Sequence, residues 1–157
     1  MRWKDWLVKW KLTSLKINVK FLEMEWNPSD EDRHAALDMY VELLTRIATQ
    51  PLAEEEGDEA SALKSLHAIF PLTREIIRSN FGCVEFTKIA VVVLNQVLRP
   101  FTARWHRLSL QNGFENPASC TQFRAELCEL QQDMLKYTKM LGDMAGIEED
   151  LTRLEDD

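Results

Sequence analysis

The sequence predicts an all-α protein: a four- or five-helix, mostly antiparallel bundle with a long C-terminal helix. Near the C-terminus, eight apolar residues recur at alternating steps of three and four, which places them on one face of a single helix that other helices must cover. They are Cys120, Phe123, Leu127, Leu130, Met134, Tyr137, Leu141 and Met144. The chain of 157 residues also contains only five glycines and five prolines, too few for the frequent turns of an all-β protein.

The N-terminal region begins with tryptophans at helical spacing, Trp3, Trp6 and Trp10. Residues 12–26 then fit two patterns, because apolar and polar residues alternate as in a strand while two apolar stripes also follow helical spacing. We favour a helix here, since the sequence offers no second strand that could pair with this one.

Two capped helical regions are expected next. Ser29 is the predicted N-cap of a helix that runs to about Thr49. After a polar loop at residues 51–58, Asp58 is the predicted N-cap of the following helical region. Pro71 lies inside that region, where it either kinks the helix or starts a second one.

The second half of the chain is predicted to form a helix at residues 84–98, a short helix to about Leu110 and the long C-terminal helix, capped by Ser119. Residues 84–98 are apolar nearly all round, so we expect this helix at the centre of the bundle. Arg99-Pro100 should bend or break it. The predicted core comprises Tyr40, Leu44, Ile47, Leu66, Phe70, Ile77, Ile89, Val93, Val97, Phe123, Leu127, Leu130, Met134 and Leu141.

One domain is expected over residues 1–146, followed by an acidic, partly mobile tail at residues 147–157. The net charge is −7, the opposite of what is typical of DNA-binding proteins. The three cysteines form no CxxC motif, and neither a transmembrane span nor a signal peptide is visible, so we expect a cytoplasmic protein.

The segment from Arg99 to His106 carries the strongest chemical pattern in the chain. An arginine and a histidine with six residues between them resemble the Arg-x4–6-His motif of the HEPN ribonuclease superfamily. The resemblance implies metal-independent RNA cleavage by a homodimer, with His106 as acid or base and Arg99 holding the scissile phosphate. Pro100 departs from that family, which usually has a polar residue after its arginine.

Neither a metal site nor a cofactor is expected. Glu31 and His34 form one Glu-x-x-His motif of the kind that di-iron bundles use on two helices, but His67 and His106 do not supply the second. No glycine-rich phosphate loop or nucleophile motif is present.

The tryptophans and lysines at the N-terminus have three interpretations: a buried cap of the bundle, a patch that binds a protein, or a helix on a membrane surface. By elimination, we expect a non-enzymatic interaction module, an adaptor or a subunit of a multi-protein complex, that binds another protein or itself. The residues expected to bind the partner are Trp3, Trp6, Trp10, Arg99, Arg104 and Trp105. The alternatives are the HEPN-like ribonuclease, which alone would bind RNA, and a peripheral membrane protein.

Overall fold

The computed structural model of the protein describes residues 1–53 and 58–156. It confirms the all-α class: over these ranges the backbone forms α-helices, with no strand beyond an isolated antiparallel bridge between Arg2 and Glu25. The helices are α1 (Trp3–Lys9), α2 (Val19–Leu22), α3 (Asp30–Leu44), α4 (Glu59–His67), α5 (Ile69–Ser79), α6 (Val84–Val93), α7 (Arg99–Leu110) and α8 (Pro117–Ala145). Within the described ranges, every helix is too short or too polar to cross a lipid bilayer.

Helices α3 and α8 form the frame on which the other helices pack. They run antiparallel, because Tyr40 of α3 lies against Gly142 near the end of α8, while Gln131 near its middle donates 2.7 Å hydrogen bonds to the carbonyls of Ile47 and Gln50. The apolar ladder is confirmed: its members from Phe123 onward are buried.

Helix α8 begins earlier than predicted. Asn116, not Ser119, is its N-cap, since the Asn116 side chain accepts a hydrogen bond from the Ala118 amide at 2.9 Å. Pro117 then occupies the first helical position, where its missing N–H would have no partner in the helix.

The expectation of a helix over residues 12–26 holds only for Val19–Leu22, and residues 12–18 form neither a helix nor a strand. The stretch is held by a contact distant in sequence. The amide of Lys16 donates to the Gln96 side chain and the Lys16 carbonyl accepts from it, both at 2.7 Å. These two bonds satisfy both backbone polar groups of Lys16, as a strand partner would.

Both predicted N-caps are confirmed: Ser29 accepts from the Asp32 amide and Asp58 accepts from the Ser61 amide. Helix α3 ends at Leu44 rather than Thr49. The Thr49 hydroxyl and the Gln50 side chain donate to the last carbonyls of α3, those of Leu43 and Leu44. This capping from beyond the helix end replaces the final helical turn.

The region around Pro71 is divided into two helices. The break lies at Ala68, which is shared between the end of α4 and the start of α5. Pro71 therefore lies in the first turn of α5, where an amide would have no partner within the helix. The region thus contains a second helix, but that helix starts at Ile69, two residues before Pro71, and not at the proline.

Helices α6 and α7 are joined by a π-helical turn, Leu94–Leu98, instead of a break. The wider turn carries the chain into Pro100, which has no amide to donate. The inner face of α6 is buried as predicted, at Phe86, Ile89, Ala90 and Val93. Its outer face is exposed at Val84 and Val91, so α6 does not occupy the centre of the bundle as predicted.

The predicted core is buried except at four positions, which are only half-buried: Leu44, Ile47, Ile77 and Val97. Part of the segment from residue 147 onward packs against this core. Ile147 and Leu151 contact it, and the Leu151 amide donates to the Tyr40 hydroxyl at 3.1 Å.

Candidate functional site

An open apolar groove of about 610 Å³ lies between the N-terminal segment and helix α6. One wall comes from residues 16–21, and the other comes from the end of α5, the following turn and the outer face of α6. The side chains that line it are mostly apolar: Ile17, Phe21, Ile77, Phe81, Cys83, Val84, Val91 and Val92, with Lys16, Asn18, Thr87 and Lys88.

Phe81 projects outward from the turn between α5 and α6 and is 93% exposed. Its neighbours explain this position. The Asn80 side chain is tied to the Ile76 carbonyl and the Asp38 carboxylate, while Gly82 adopts a φ of 92° that allows the chain to turn sharply. Cys83 then points inward and is buried. A large aromatic ring is thus presented to solvent by a well-anchored turn.

The outer stripe of α6 continues the apolar surface from Phe81. Val84, Lys88 and Val91 follow helical spacing on one side of the helix, and the two valines are 56% and 48% exposed. Exposed apolar residues that occur singly are ordinary, but a contiguous set that lines a groove is typical of a binding surface.

The opposite wall is fixed by contacts with the core. Phe21 packs against the buried ring of Trp3, with the ring centroids 4.7 Å apart. The double hydrogen bond between Lys16 and Gln96 holds the backbone beside it. The groove therefore has two well-supported walls.

The charged side chains that line the groove are lysines. Lys16 and Lys88 line it, and among the described residues no carboxylate does. Lys88 pairs with Glu85 at 2.9 Å and also lies over the Phe21 ring. Lys16 forms no ion pair within residues 1–53 and 58–156, so its charge is available to a partner.

The N-terminal tryptophans lie elsewhere. Trp3 and Trp6 are fully buried. The indole N–H of Trp3 donates to Glu85 at 2.7 Å, while those of Trp6 and the half-buried Trp10 both donate to Asp143, at 2.8 and 3.1 Å. Trp3 and Trp6 belong to the core in this fold, so neither a partner nor a membrane can contact their rings, and the surface roles expected for them need correction.

The expected partner-binding residues of α7 are divided between core and surface. Trp105 is fully buried among aromatic rings, with Phe114 and Phe123 at centroid distances of 5.9 and 5.2 Å. Arg104 is exposed, packs over the Trp105 ring and pairs with Glu126 of α8. Trp105 therefore stabilises the α7–α8 contact and offers no ring to a partner.

The structure places His106 beside a residue that the motif did not include. The ring centroids of His106 on α7 and His67 on α4 are 5.5 Å apart, edge to face. Burial lowers the pKa of His67, with smaller contributions from the charges of His106 and Arg99. The Arg99 guanidinium lies over the Phe70 ring at 4.7 Å. Arg99 and His106 thus belong to one cluster, joined through His67.

The described residues contain no group of three or more histidine, cysteine, aspartate or glutamate side chains that could hold a metal ion. Sequence reasoning missed both Phe81 and the pairing of His67 with His106. Phe81 could have been found as a large apolar residue between Asn80 and Gly82, two residues typical of turns. The histidine pair joins different helices and leaves no signal in sequence spacing.

Comparison of this chain with protein-family models, with curated proteins and with solved structures found no match.

Proposed function

We propose that this protein is a non-enzymatic interaction module whose groove, between residues 16–21 and α6, binds an amphipathic helix of another protein. The observation that carries the proposal is the fully exposed ring of Phe81, continuous with the outer valines of α6. Grooves of this kind commonly receive the apolar face of a helix, with anchor residues at helical spacing. An adaptor or a complex subunit would use such a surface.

The charge of the groove specifies the partner further. Lys16 and Lys88 flank an apolar floor that no described carboxylate lines. A partner helix with two or three large apolar residues on one face and acidic residues beside them would complement both features. The carboxylates would mainly speed association and select the orientation, while the apolar contacts would supply most of the affinity.

The test is a selection from a displayed library of helix-forming peptides, with the intact protein as the target. We expect enriched peptides to carry apolar residues at i, i+3 or i+4, and i+7, with Asp or Glu at flanking positions. Burial of a phenylalanine side chain contributes roughly 1.5–3 kcal/mol, so Phe81→Ser should weaken binding of the selected peptides by about 10- to 100-fold. Leu110→Ser is the matched control, because Leu110 is also exposed but lies outside the groove.

Two further outcomes bear on the identity of the partner. Lys16→Glu should weaken peptides that carry acidic residues and spare neutral ones. Selected peptides that bind the Phe81→Ser variant as tightly as the wild type would contradict the proposal. Light scattering on a sizing column tests self-association: a dimer of twice 18.3 kDa that Phe81→Ser dissociates would assign the groove to a second copy of the chain instead.

A ribonuclease remains the second candidate function, favoured by the arrangement of His67 and His106. Two imidazoles in contact, one with a pKa lowered mainly by burial, are a combination that proton-transfer catalysis can use. This candidate requires that purified protein cleaves RNA without added metal and that His106→Ala abolishes the cleavage. RNA that stays intact after prolonged incubation with the wild type would exclude it.

A further inference from the structure

A second, smaller cleft of about 290 Å³ lies between α4 and α7, on a different part of the surface from the apolar groove. Its polar lining consists of an ammonium group, two imidazoles and a hydroxyl, from Lys64, His67, His106 and Ser109. Within the described part of the chain, no carboxylate lines this cleft. Its apolar lining comes from Ala60, Leu63 and Phe114.

His67, one of the residues that line this cleft, has an unsatisfied ring nitrogen. The Nε2 atom of His67 is buried and has no hydrogen-bond partner among the described residues. Buried polar atoms are almost always paired, so an unpaired one needs an explanation such as a bound ligand. The Ser109 hydroxyl is already used, since it donates to the His106 carbonyl at 2.7 Å.

Positive charge accumulates around the cleft without being neutralised. Lys64 is exposed, and neither it nor Arg99 pairs with a carboxylate in the described ranges. The Arg99 guanidinium donates to the Asn95 side chain at 3.3 Å and packs on Phe70. It is close enough to His67 to lower the pKa of that imidazole. A ligand that carries negative charge would relieve this repulsion.

The imidazoles of His67 and His106 are common ligands of transition metals, but the positive charges of Lys64 and Arg99 disfavour binding of a metal cation here. An ammonium and a guanidinium nearby repel a cation, and the described residues supply no third metal ligand to the pair. We propose that this cleft binds a phosphate-type oxyanion, with Lys64, His67 and His106 as its hydrogen-bond donors and Arg99 as a supporting charge. The ribonuclease candidate uses only Arg99 and His106, whereas this site adds Lys64 and His67 and requires no reaction.

The test is a titration of ¹⁵N-labelled protein with inorganic phosphate, followed through the imidazole nitrogen signals at constant pH and ionic strength. The chain has three histidines, and His34 on α3 is exposed and lies outside the cleft. We expect saturable shifts of His67 and His106, complete below about 10 mM phosphate, while His34 does not move. A parallel titration with dimethyl phosphate distinguishes two kinds of natural ligand. Tight binding of the diester indicates a nucleic-acid backbone, whereas binding of inorganic phosphate alone indicates a free phosphate or a monoester.

Variants separate specific binding from a general effect of charge. Lys64→Gln should weaken phosphate binding at least fivefold and leave the amide spectrum otherwise unchanged, because Lys64 is exposed. Lys20→Gln, which removes an exposed lysine outside the cleft, should have no effect. Equal shifts of all three histidines, or the absence of saturable shifts with both anions, would overturn the proposal. So would binding of Zn²⁺ at micromolar concentration in a protein that ignores phosphate.

Discussion

Replacement of Gly142 by alanine tests how tightly α3 and α8 approach each other. A Cβ atom at position 142 would lie 2.9 Å from Cε2 of Tyr40 and 3.4 Å from two further ring atoms. The ring cannot easily move away, because Tyr40 is buried and its hydroxyl accepts the Leu151 amide at 3.1 Å. A substitution that normally favours a helix should therefore destabilise this one.

Two opposing terms determine the magnitude. Alanine is more favourable than glycine inside a helix by about 1 kcal/mol, whereas an added methyl group in a packed core costs about 1–3 kcal/mol. We expect Gly142→Ala to lower the free energy of unfolding by about 1 kcal/mol, which corresponds to roughly 2–4 °C in Tm for a domain of this size. Urea denaturation monitored by circular dichroism measures the difference.

The control is on the same helix. Ala125 is exposed on α8, so Ala125→Gly reports the glycine–alanine difference without a packing contact and should cost about 1 kcal/mol. In a Tyr40→Leu background, Gly142→Ala should become neutral or stabilising, because the clashing ring is absent. If Gly142→Ala stabilises the wild-type protein by the amount that Ala125→Gly costs, the close approach to Tyr40 does not constrain position 142 and the reasoning is wrong.

The remaining predictions concern the core, a cap and the groove. Leu130→Ala should lower the free energy of unfolding by roughly 2–5 kcal/mol, because the side chain is buried; a loss well below 1 kcal/mol would remove Leu130 from the core. Asp32→Ala should cost at least about 2 kcal/mol by denaturation, since this buried carboxylate accepts the amides of both Ser29 and Phe86; an unchanged midpoint would show that neither bond matters. Phe81→Ser should change stability by less than about 0.5 kcal/mol, and a larger loss would mean that the ring belongs to the fold rather than to a binding surface.

The parts of the fold that local sequence determines were predictable. Helix α8 followed from its apolar ladder, and the caps at Ser29 and Asp58 followed from side chains that bond amides three residues away. In each of these cases the interacting groups lie on the same helix, so sequence spacing alone reports the contact.

The predictions of local structure failed where contacts between residues distant in sequence determine the conformation. The Lys16 backbone is satisfied by Gln96, eighty positions away, and no pattern within residues 12–18 records that. Gly142 looks like a weak point of α8 in sequence, yet in the structure it is the place where Tyr40 contacts the helix backbone closely. Local propensity was overridden in both cases by tertiary packing.

The N-terminal tryptophans show why burial could not be predicted from amphipathic character. Their spacing with neighbouring lysines fits a core cap, a surface patch for a protein and a membrane helix. In the structure, the partner of these indoles is Asp143, a single carboxylate on α8 that accepts the indole N–H groups of both Trp6 and Trp10. A buried indole N–H usually has a hydrogen-bond partner, and here that partner lies more than 130 positions away in the sequence.

Helix α6 shows the reverse error, because residues that were expected at the centre of the bundle are exposed. This error connects the fold to the proposed function. An apolar pattern on all sides predicted a central helix, but the neighbouring helices cover only the side that contains Phe86, Ile89 and Val93. The remaining apolar residues, Val84 and Val91, are 56% and 48% exposed, so about half of each side chain gains nothing from burial within this chain. A second molecule bound in the groove would cover these side chains. The apolar residues on the outer face of α6, which led to the prediction of a central helix, are therefore also the strongest argument for the proposed binding surface.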